Sequence, residues 1–330
     1  MSSTELHSIV VPMFNESPVA EEFIKRATAA LASLPDYEII VIDDGSKDDT
    51  FAIVSALADH DPHLKLVRFA RNFGHQTATT AGIDLAGGDT VTVIDADLQD
   101  PPELIPKMIE LWRGGTDIVF AVRESRAGES AFKTATAAAY YRLLRRTAQV
   151  DIPLDTADFR LMSRKATEGL KAMRERSRYM RGLVGWMGLN RASITYHRDP
   201  RFAGETKYPL RKMAKLATDG ILSFSTSPLR IATWLGVASA ALGFLVALSA
   251  VLTKLTGGYA VPGWASTIVA VLFVGGMQLI TLGVIGAYIG RVYDEVRNRP
   301  LYLIESVRGF DQDTADHFAH SPLPNLRDPS

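Results

Sequence analysis

The chain has 330 residues, 47% of them hydrophobic and 22% charged, far from the low hydrophobicity and high net charge of disordered chains. Cys is absent, which excludes structural disulfides, thiolate metal sites and cysteine nucleophiles. The net charge of −1 is the cancellation of two opposite fields, since residues 1–100 hold 17 acidic and 6 basic residues and residues 160–230 hold 5 acidic and 16 basic ones; a global charge argument therefore says nothing about partners.

The N-terminus, MSSTELHSIVVPMF, has neither a basic n-region nor a long apolar stretch, so no secretory signal is expected and the N-terminal part is expected in the cytoplasm. Before residue 160 the chain alternates. β-rich runs at Ser8–Val11, Glu38–Ile42, Lys65–Phe69, Thr90–Ile94 and Asp117–Ala121 are separated by helical patterns at Pro18–Ser33, Asp49–His60, Thr77–Leu85 and Glu103–Arg113,. This order predicts an α/β domain with a mainly parallel central sheet and helices on both faces. Ligands in such sheets bind at the carboxyl ends of the strands.

Those ends are acidic. The first strand runs into Pro12-Met13-Phe14-Asn15-Glu16, the second into Asp43-Asp44-Gly45-Ser46, and the fourth into Asp95-Ala96-Asp97-Leu98-Gln99-Asp100. Carboxylates gathered on one edge repel one another unless a cation compensates, and a hard divalent ion with oxygen ligands is the usual compensator, so a Mg²⁺ or Mn²⁺ site is expected. Taken alone, Asp-Asp-Gly-Ser reads equally as a surface turn with an Asp capping the helix from Asp49. No Gly-x-Gly-x-x-Gly follows the first strand and no P-loop sequence occurs, which removes support for hydride transfer and for P-loop phosphoryl transfer.

Further along, Tyr179–Leu189 and Tyr208–Phe224 each place apolar residues beside basic ones and read as amphipathic helices, lying either at an anionic leaflet or on the soluble core,. The later one is assigned to the membrane surface. From Ile231 to Gly290 the only charge is Lys254, dividing two apolar runs, Ile231–Leu252 and Trp264–Gly290. Each is long enough to span a bilayer, and the Gly/Pro-containing turn between them makes the pair a hairpin. Lys207, Arg211, Lys212, Lys215 and Arg230 before it, and Arg291, Arg297 and Arg299 after it, place both termini in the cytoplasm,. Gly236, Ala240 and Gly243 in the first run, and Gly283, Gly286 and Gly290 in the second, favour close helix approach within or between protomers and hence a homo-oligomer. The basic stretch runs into a span and carries no nucleic-acid module, so nucleic acid is not expected as a partner.

The strand-end motifs resemble the nucleotide-sugar signatures of family 2 glycosyltransferases. Arg71-Asn72-Phe73-Gly74, Asp158-Phe159-Arg160-Leu161 and Arg201-Phe202-Ala203-Gly204-Glu205-Thr206-Lys207-Tyr208, followed by two spans, are similar to the polyprenyl-phosphate branch of that family, and within it to bactoprenol glucosyl transferases, relatives of dolichol-phosphate mannose synthase. The resemblance covers nearly the whole chain. It implies a GT-A domain over 1–205, an interfacial helix over 206–228, the hairpin over 229–291 and a cytoplasmic tail over 292–330.

It also implies roles. Pro12, Phe14, Asn15, Glu16, Asp43 and Asp44 match positions that bind the uridine of a UDP-sugar; Asp95, Ala96 and Asp97 complete the nucleotide-sugar site, and Asp95, Asp97 and Gln99 match the ligands of Mg²⁺ or Mn²⁺. Arg123, Lys133, Arg160 and Arg201 are candidates for holding the phosphate of a polyprenyl acceptor. Asp97, Asp158, Arg123 and Arg201 are the candidate catalytic set, Asp158 standing where many relatives carry a base, with helix capping as its plain structural alternative. The reading is inverting transfer of glucose from UDP-glucose to polyprenyl (undecaprenyl) phosphate at the bacterial inner membrane, for cell-envelope glycosylation. Transfer of mannose or an amino-arabinose, and a catalytically inactive membrane scaffold, are the alternatives. A processive synthase is disfavoured by the two spans and the lack of Gln-x-x-Arg-Trp.

Overall fold

The computed structural model describes residues 5–123, 156–176, 178–196, 226–256 and 263–320. They fall into two units, one holding the described residues up to 196 together with 299–320, the other holding 226–256 and 263–298.

In the first unit β1 (His7–Met13), α1 (Ala20–Leu31), β2 (Tyr37–Asp43), α2 (Thr50–Ala58), β3 (Leu64–Phe69), α3 (His75–Leu85), β4 (Thr90–Val93), α4 (Ile105–Arg113) and β5 (Ile118–Arg123) follow the predicted alternation. Beyond them come β6 (Thr156–Ser163), α5 (Arg164–Ala172), α6 (Met180–Trp186) and β7 (Arg191–Tyr196). The chain returns after the second unit with β8 (Ile304–Arg308) and α9 (Gln312–His320). The sheet has eight strands in the order β7-β5-β6-β4-β1-β2-β3-β8. β1 pairs in parallel with β2 and β4, β2 with β3, and β5 with β7, while β6 and β8 run antiparallel to their neighbours.

Residue pattern explains the interior. β1 and β2 are buried at every position, the continuous apolar run of a strand covered on both faces. α1 buries Phe23, Ile24, Ala27 and Leu31 along one stripe,. α3 lies on β1 at a distance only glycine allows, since a Cβ on Gly82 would stand 2.2 Å from Val10 Cγ1,.

Three elements go beyond the sequence expectations. Of the two readings of Tyr179–Leu189, docking on the soluble core holds: Met180, Leu183 and Val184 of α6 are buried in the first unit. The 292–330 tail is not an appendage, because Ile304–Arg308 pairs with β3 as the edge strand. Tyr302, just before it, is buried, stacks on Phe69 with ring centroids 5.2 Å apart, and donates its hydroxyl to Asp84 at 2.9 Å. Within the same tail, Gln312–His320 forms α9.

The second unit consists of α7 (Ser227–Leu255) and α8 (Trp264–Val296), packed on each other. Ser227–Ser249 and Val269–Val296 are each long and apolar enough to cross a bilayer, and Trp234, Phe244 and Leu279 are exposed. The expected spans fall inside these helices. A Cβ on Gly236, Gly243, Gly283, Gly286 or Gly290 would meet no atom within 4 Å, so these small residues do not mark close contacts within the hairpin. The interfacial helix expected over Tyr208–Phe224 lies outside the described residues.

Candidate active site

The carboxyl ends of β1, β2 and β4 converge as the parallel pairing requires, Met13 standing opposite Asp43 and Val10 opposite Val93. At the end of β1, Pro12 is buried, Phe14 is 40% exposed and Asn15 takes a positive φ of 55°. Asn15 is fixed to the β2 loop from both sides: its N–H donates to Ser46 Oγ and its Oδ1 accepts from the Lys47 N–H, each at 2.9 Å. The Glu16 N–H donates to Thr50 Oγ1 at 2.9 Å.

Asp43 and Asp44 are both buried. Asp43 Oδ1 accepts from the Ser46 N–H at 3.0 Å, closing the loop on itself. Asp44 accepts from the N–H of Phe73 at 2.6 Å, the N–H of Gly74 at 2.9 Å and the side-chain amide of Asn72 at 2.9 Å. Burial pushes both carboxyls above their usual range, against these donors,. Gly45 has φ +69°, and a Cβ there would sit 2.6 Å from the Arg71 carbonyl carbon, so the two loops meet at a glycine. The helix-capping alternative for this motif is answered by its neighbour: Asp48 accepts from the Thr50 N–H at 3.1 Å and from the Ser17 N–H at 3.2 Å.

After β4, Asp95 leaves the sheet with Oδ1 buried and without a hydrogen-bond partner. Burial, aided by the negative charges of Asp158, Asp100 and Asp97 and opposed by His75, raises its carboxyl to about 6,. The Asp97 turn is strained, Leu98 being a buried non-glycine residue at φ +58°,. Within it the Gln99 N–H donates to Asp97 Oδ1 at 3.2 Å. Asp100 is fully buried and takes both oxygens to Arg123 Nη2 at 3.2 Å while accepting the Tyr196 hydroxyl. Arg123 Nε also donates to Tyr196 Oη at 3.1 Å. Arg123 thus reaches the site edge in a fixed orientation.

Asp158 arrives at the same edge because β6 runs antiparallel between β4 and β5, with Arg160 opposite both Val93 and Phe120. It lies inside a strand, which excludes the helix-cap alternative. Arg181 Nε donates to Asp158 Oδ1 at 3.1 Å, Arg160 Nη2 lies 3.6 Å from that oxygen, and His75 Nε2 lies 3.7 Å from Oδ2. Burial alone would raise the Asp158 carboxyl; the charges of Arg181, Arg160 and His75 outweigh it and hold the group down at about 2. Arg160 is fully buried, with Asp158 as its ion-pair partner and no hydrogen bond to any of its three guanidinium nitrogens. It stands behind the carboxylate rather than at an accessible surface where an acceptor phosphate could meet it. Lys133 and Arg201 lie outside the described residues.

Among the described residues no group of three or more His, Asp and Glu side chains forms a cage for a metal ion. The donor set nevertheless suits a hard divalent cation completed by ligand oxygens: the carboxylates of Asp95 and Asp97 and the amide oxygen of Gln99 are hard oxygen donors on one turn,. The sequence assigns no role to His75, Arg181 or Tyr196, and shows Asp100 only as part of the acidic strand-end motif. His75 directly follows Arg71-Asn72-Phe73-Gly74, whereas Arg181 belongs to an amphipathic pattern that reads as a surface helix and Tyr196 has no motif around it.

The mixed, mostly parallel sheet with an Asp-x-Asp turn at one edge agrees with the class that the family match gives, a glycosyltransferase with a GT-A fold. The chain belongs to glycosyl transferase family 2, whose model matches residues 8–170, and the GtrB C-terminal hairpin matches residues 227–292. It is similar to the uncharacterized glycosyltransferase YkcC of Bacillus subtilis, with 47% identity over 94% of this chain and 97% of the relative. It is also similar to the prophage bactoprenol glucosyl transferase homolog of Escherichia coli, at 43% over 91% and 99%, and to the bactoprenol glucosyl transferase of Shigella phage SfII, at 43% over 90% and 97%. The hairpin makes it a membrane-associated protein.

Proposed function

We propose that this chain transfers glucose from UDP-glucose to a polyprenyl phosphate of the undecaprenyl type, with inversion at the anomeric carbon, for cell-envelope glycosylation. The observation that carries the reading is the approach of Asp95, just past the end of β4, and Asp158, in antiparallel β6, to one shared His75 at the sheet edge beside the Asp97 turn. The relatives named as bactoprenol glucosyl transferases support the acceptor and the sugar.

The loop from Pro12 to Glu16, with the exposed ring of Phe14, would take the nucleotide, and Asp43 and Asp44 would shape that pocket from below. Asp95, Asp97 and Gln99 would hold Mg²⁺ or Mn²⁺, which when bound offsets the charge developing on the departing diphosphate. The acceptor phosphate supplies an anionic oxygen. It attacks the anomeric carbon while the bond from that carbon to the diphosphate oxygen breaks, the electron pair leaving with UDP. No side chain need remove a proton, and Asp158, ionised well below neutral pH, is matched to holding Arg181 rather than to accepting one. Arg123, Lys133 and Arg201 would position the acceptor phosphate, with Arg160 supporting Asp158 from behind.

The catalytic domain and both termini would lie on the cytoplasmic side of the inner membrane, following the basic flanks of the hairpin. The glycines with open space over them would suit contacts between protomers of a homo-oligomer. The test is incorporation of label from UDP-glucose, UDP-galactose, UDP-amino-arabinose and GDP-mannose into undecaprenyl phosphate by the purified full chain. Labelling by UDP-glucose supports the reading, labelling by another donor replaces the sugar, and no lipid labelling leaves a scaffold.

A further inference from the structure

His75 stands between Asp95 and Asp158 and has no role in the transfer step itself. It opens α3 directly after Gly74, whose φ of +99° turns the chain into the helix. The turn is fixed by Asp44, which receives the N–H groups of Phe73 and Gly74. The imidazole is therefore delivered to its place by the second strand-end motif, on a loop with little freedom. Its Nε2 lies 3.6 Å from Asp95 Oδ1 and 3.7 Å from Asp158 Oδ2. Asp95 Oδ1 is the oxygen that is buried with no hydrogen-bond partner.

At 3.6 Å the ring nitrogen is within a small side-chain rotation of a hydrogen bond to this oxygen, the kind of outer contact that orients a carboxylate ligand and leaves its second oxygen for the ion. A carboxylate without such a partner can rotate, and part of the binding energy is then spent on fixing it. His75 also touches Asp158, whose other contacts are the cations Arg160 and Arg181. It thus stands between the two carboxylates, Asp95 and Asp158.

We propose that His75 is a positioning residue that orients Asp95 for the divalent cation through Oδ1 and, through Asp158, ties that orientation to Arg160 and Arg181. This rests on the metal-dependent reading given above. His75 is 41% exposed at its side chain, so its replacement leaves the core intact.

The experiment is a Mn²⁺ titration of the purified full chain with saturating UDP, followed by electron paramagnetic resonance of free Mn²⁺, for the wild type, His75→Ala, His75→Gln and Asp97→Ala. Thermal melting without metal serves as the control for folding. His75→Ala is expected to weaken Mn²⁺ binding about 10- to 100-fold, the range for lost outer-shell partners, with an unchanged melting temperature. His75→Gln, which keeps a donor of similar reach, is expected to recover most of that loss. Equal Mn²⁺ affinity in the wild type and His75→Ala, alongside a clear loss in Asp97→Ala, overturns the role of His75 and leaves the metal site standing. No Mn²⁺ binding by the wild type overturns the metal reading and this inference together.

Discussion

Val93 stands opposite Arg160 across antiparallel β4 and β6, and this one register brings Asp95, two residues beyond Val93, to the edge where Asp158 begins its approach. Because β6 runs against its neighbours, its N-terminal half meets their C-terminal ends. Two carboxylates more than sixty residues apart in sequence thus share His75.

Asp97→Ala is expected to lower the rate of lipid glycosylation by about 10²–10³-fold, the usual cost of losing one group that stabilises developing negative charge. Asp97 is partly exposed in a turn, so the melting temperature should move little. Initial rates and a melting curve on the same preparation separate loss of chemistry from loss of fold.

Asp158→Asn keeps the shape of the side chain and removes its charge. With the carboxyl held at about 2, it stays ionised throughout the range from pH 6 to 9, and no limb of the rate profile in that range belongs to it. The variant should lower kcat through the loosened Arg181 and leave the shape of the pH profile unchanged. A profile that loses a limb would identify Asp158 as the proton acceptor.

At the opposite end of β1, burial holds the His7 imidazole below its ordinary value of 6.5, with Arg113 adding to this and Glu5 opposing it. The folded-state value is the lower one, so the unfolded chain binds more protons below pH 6.5 and stability falls as the pH drops through that value. His7→Asn, which retains a partner for Thr90 Oγ1, should flatten the loss of stability between about pH 7 and 5, whatever constant cost it carries. Urea midpoints across that range check the slope.

The returning segment should matter to the stability of the catalytic unit. Tyr302→Phe removes only the hydroxyl donated to Asp84, which keeps its pair with Arg174 at 2.7 Å, and should cost about 1 kcal/mol. Tyr302→Ala also empties the buried ring site against Phe69 and should cost about 3–5 kcal/mol. Deletion from residue 299 onward should bare the β3 edge and cause aggregation of the first unit, followed by light scattering.

Much of the site was legible because it sits where the chain leaves apolar parallel strands. Val91 to Ile94 and Ile39 to Ile42 announce their strands, and the acidic turns follow at once. β6 was hidden because a strand carrying Arg160 in its buried centre breaks the apolar pattern, and the ion pair that allows this burial is set by tertiary structure. β8 was hidden for a different reason: its partner β3 lies more than 230 residues earlier in the chain, and a hairpin intervenes. The basic residues around α6 kept a lipid surface open as one of its two readings, whereas Arg181 spends its charge on Asp158. Periodicity showed an amphipathic helix there but could not say what covered its apolar side.

The most direct measurement is transfer of labelled glucose from UDP-glucose into undecaprenyl phosphate by the full chain in liposomes, in Mg²⁺ or Mn²⁺ and again after chelation by EDTA. The account predicts one labelled lipid per UDP released, loss of both on chelation, and recovery when the cation is restored. Undiminished transfer in EDTA, or release of UDP with no labelled lipid, would contradict it.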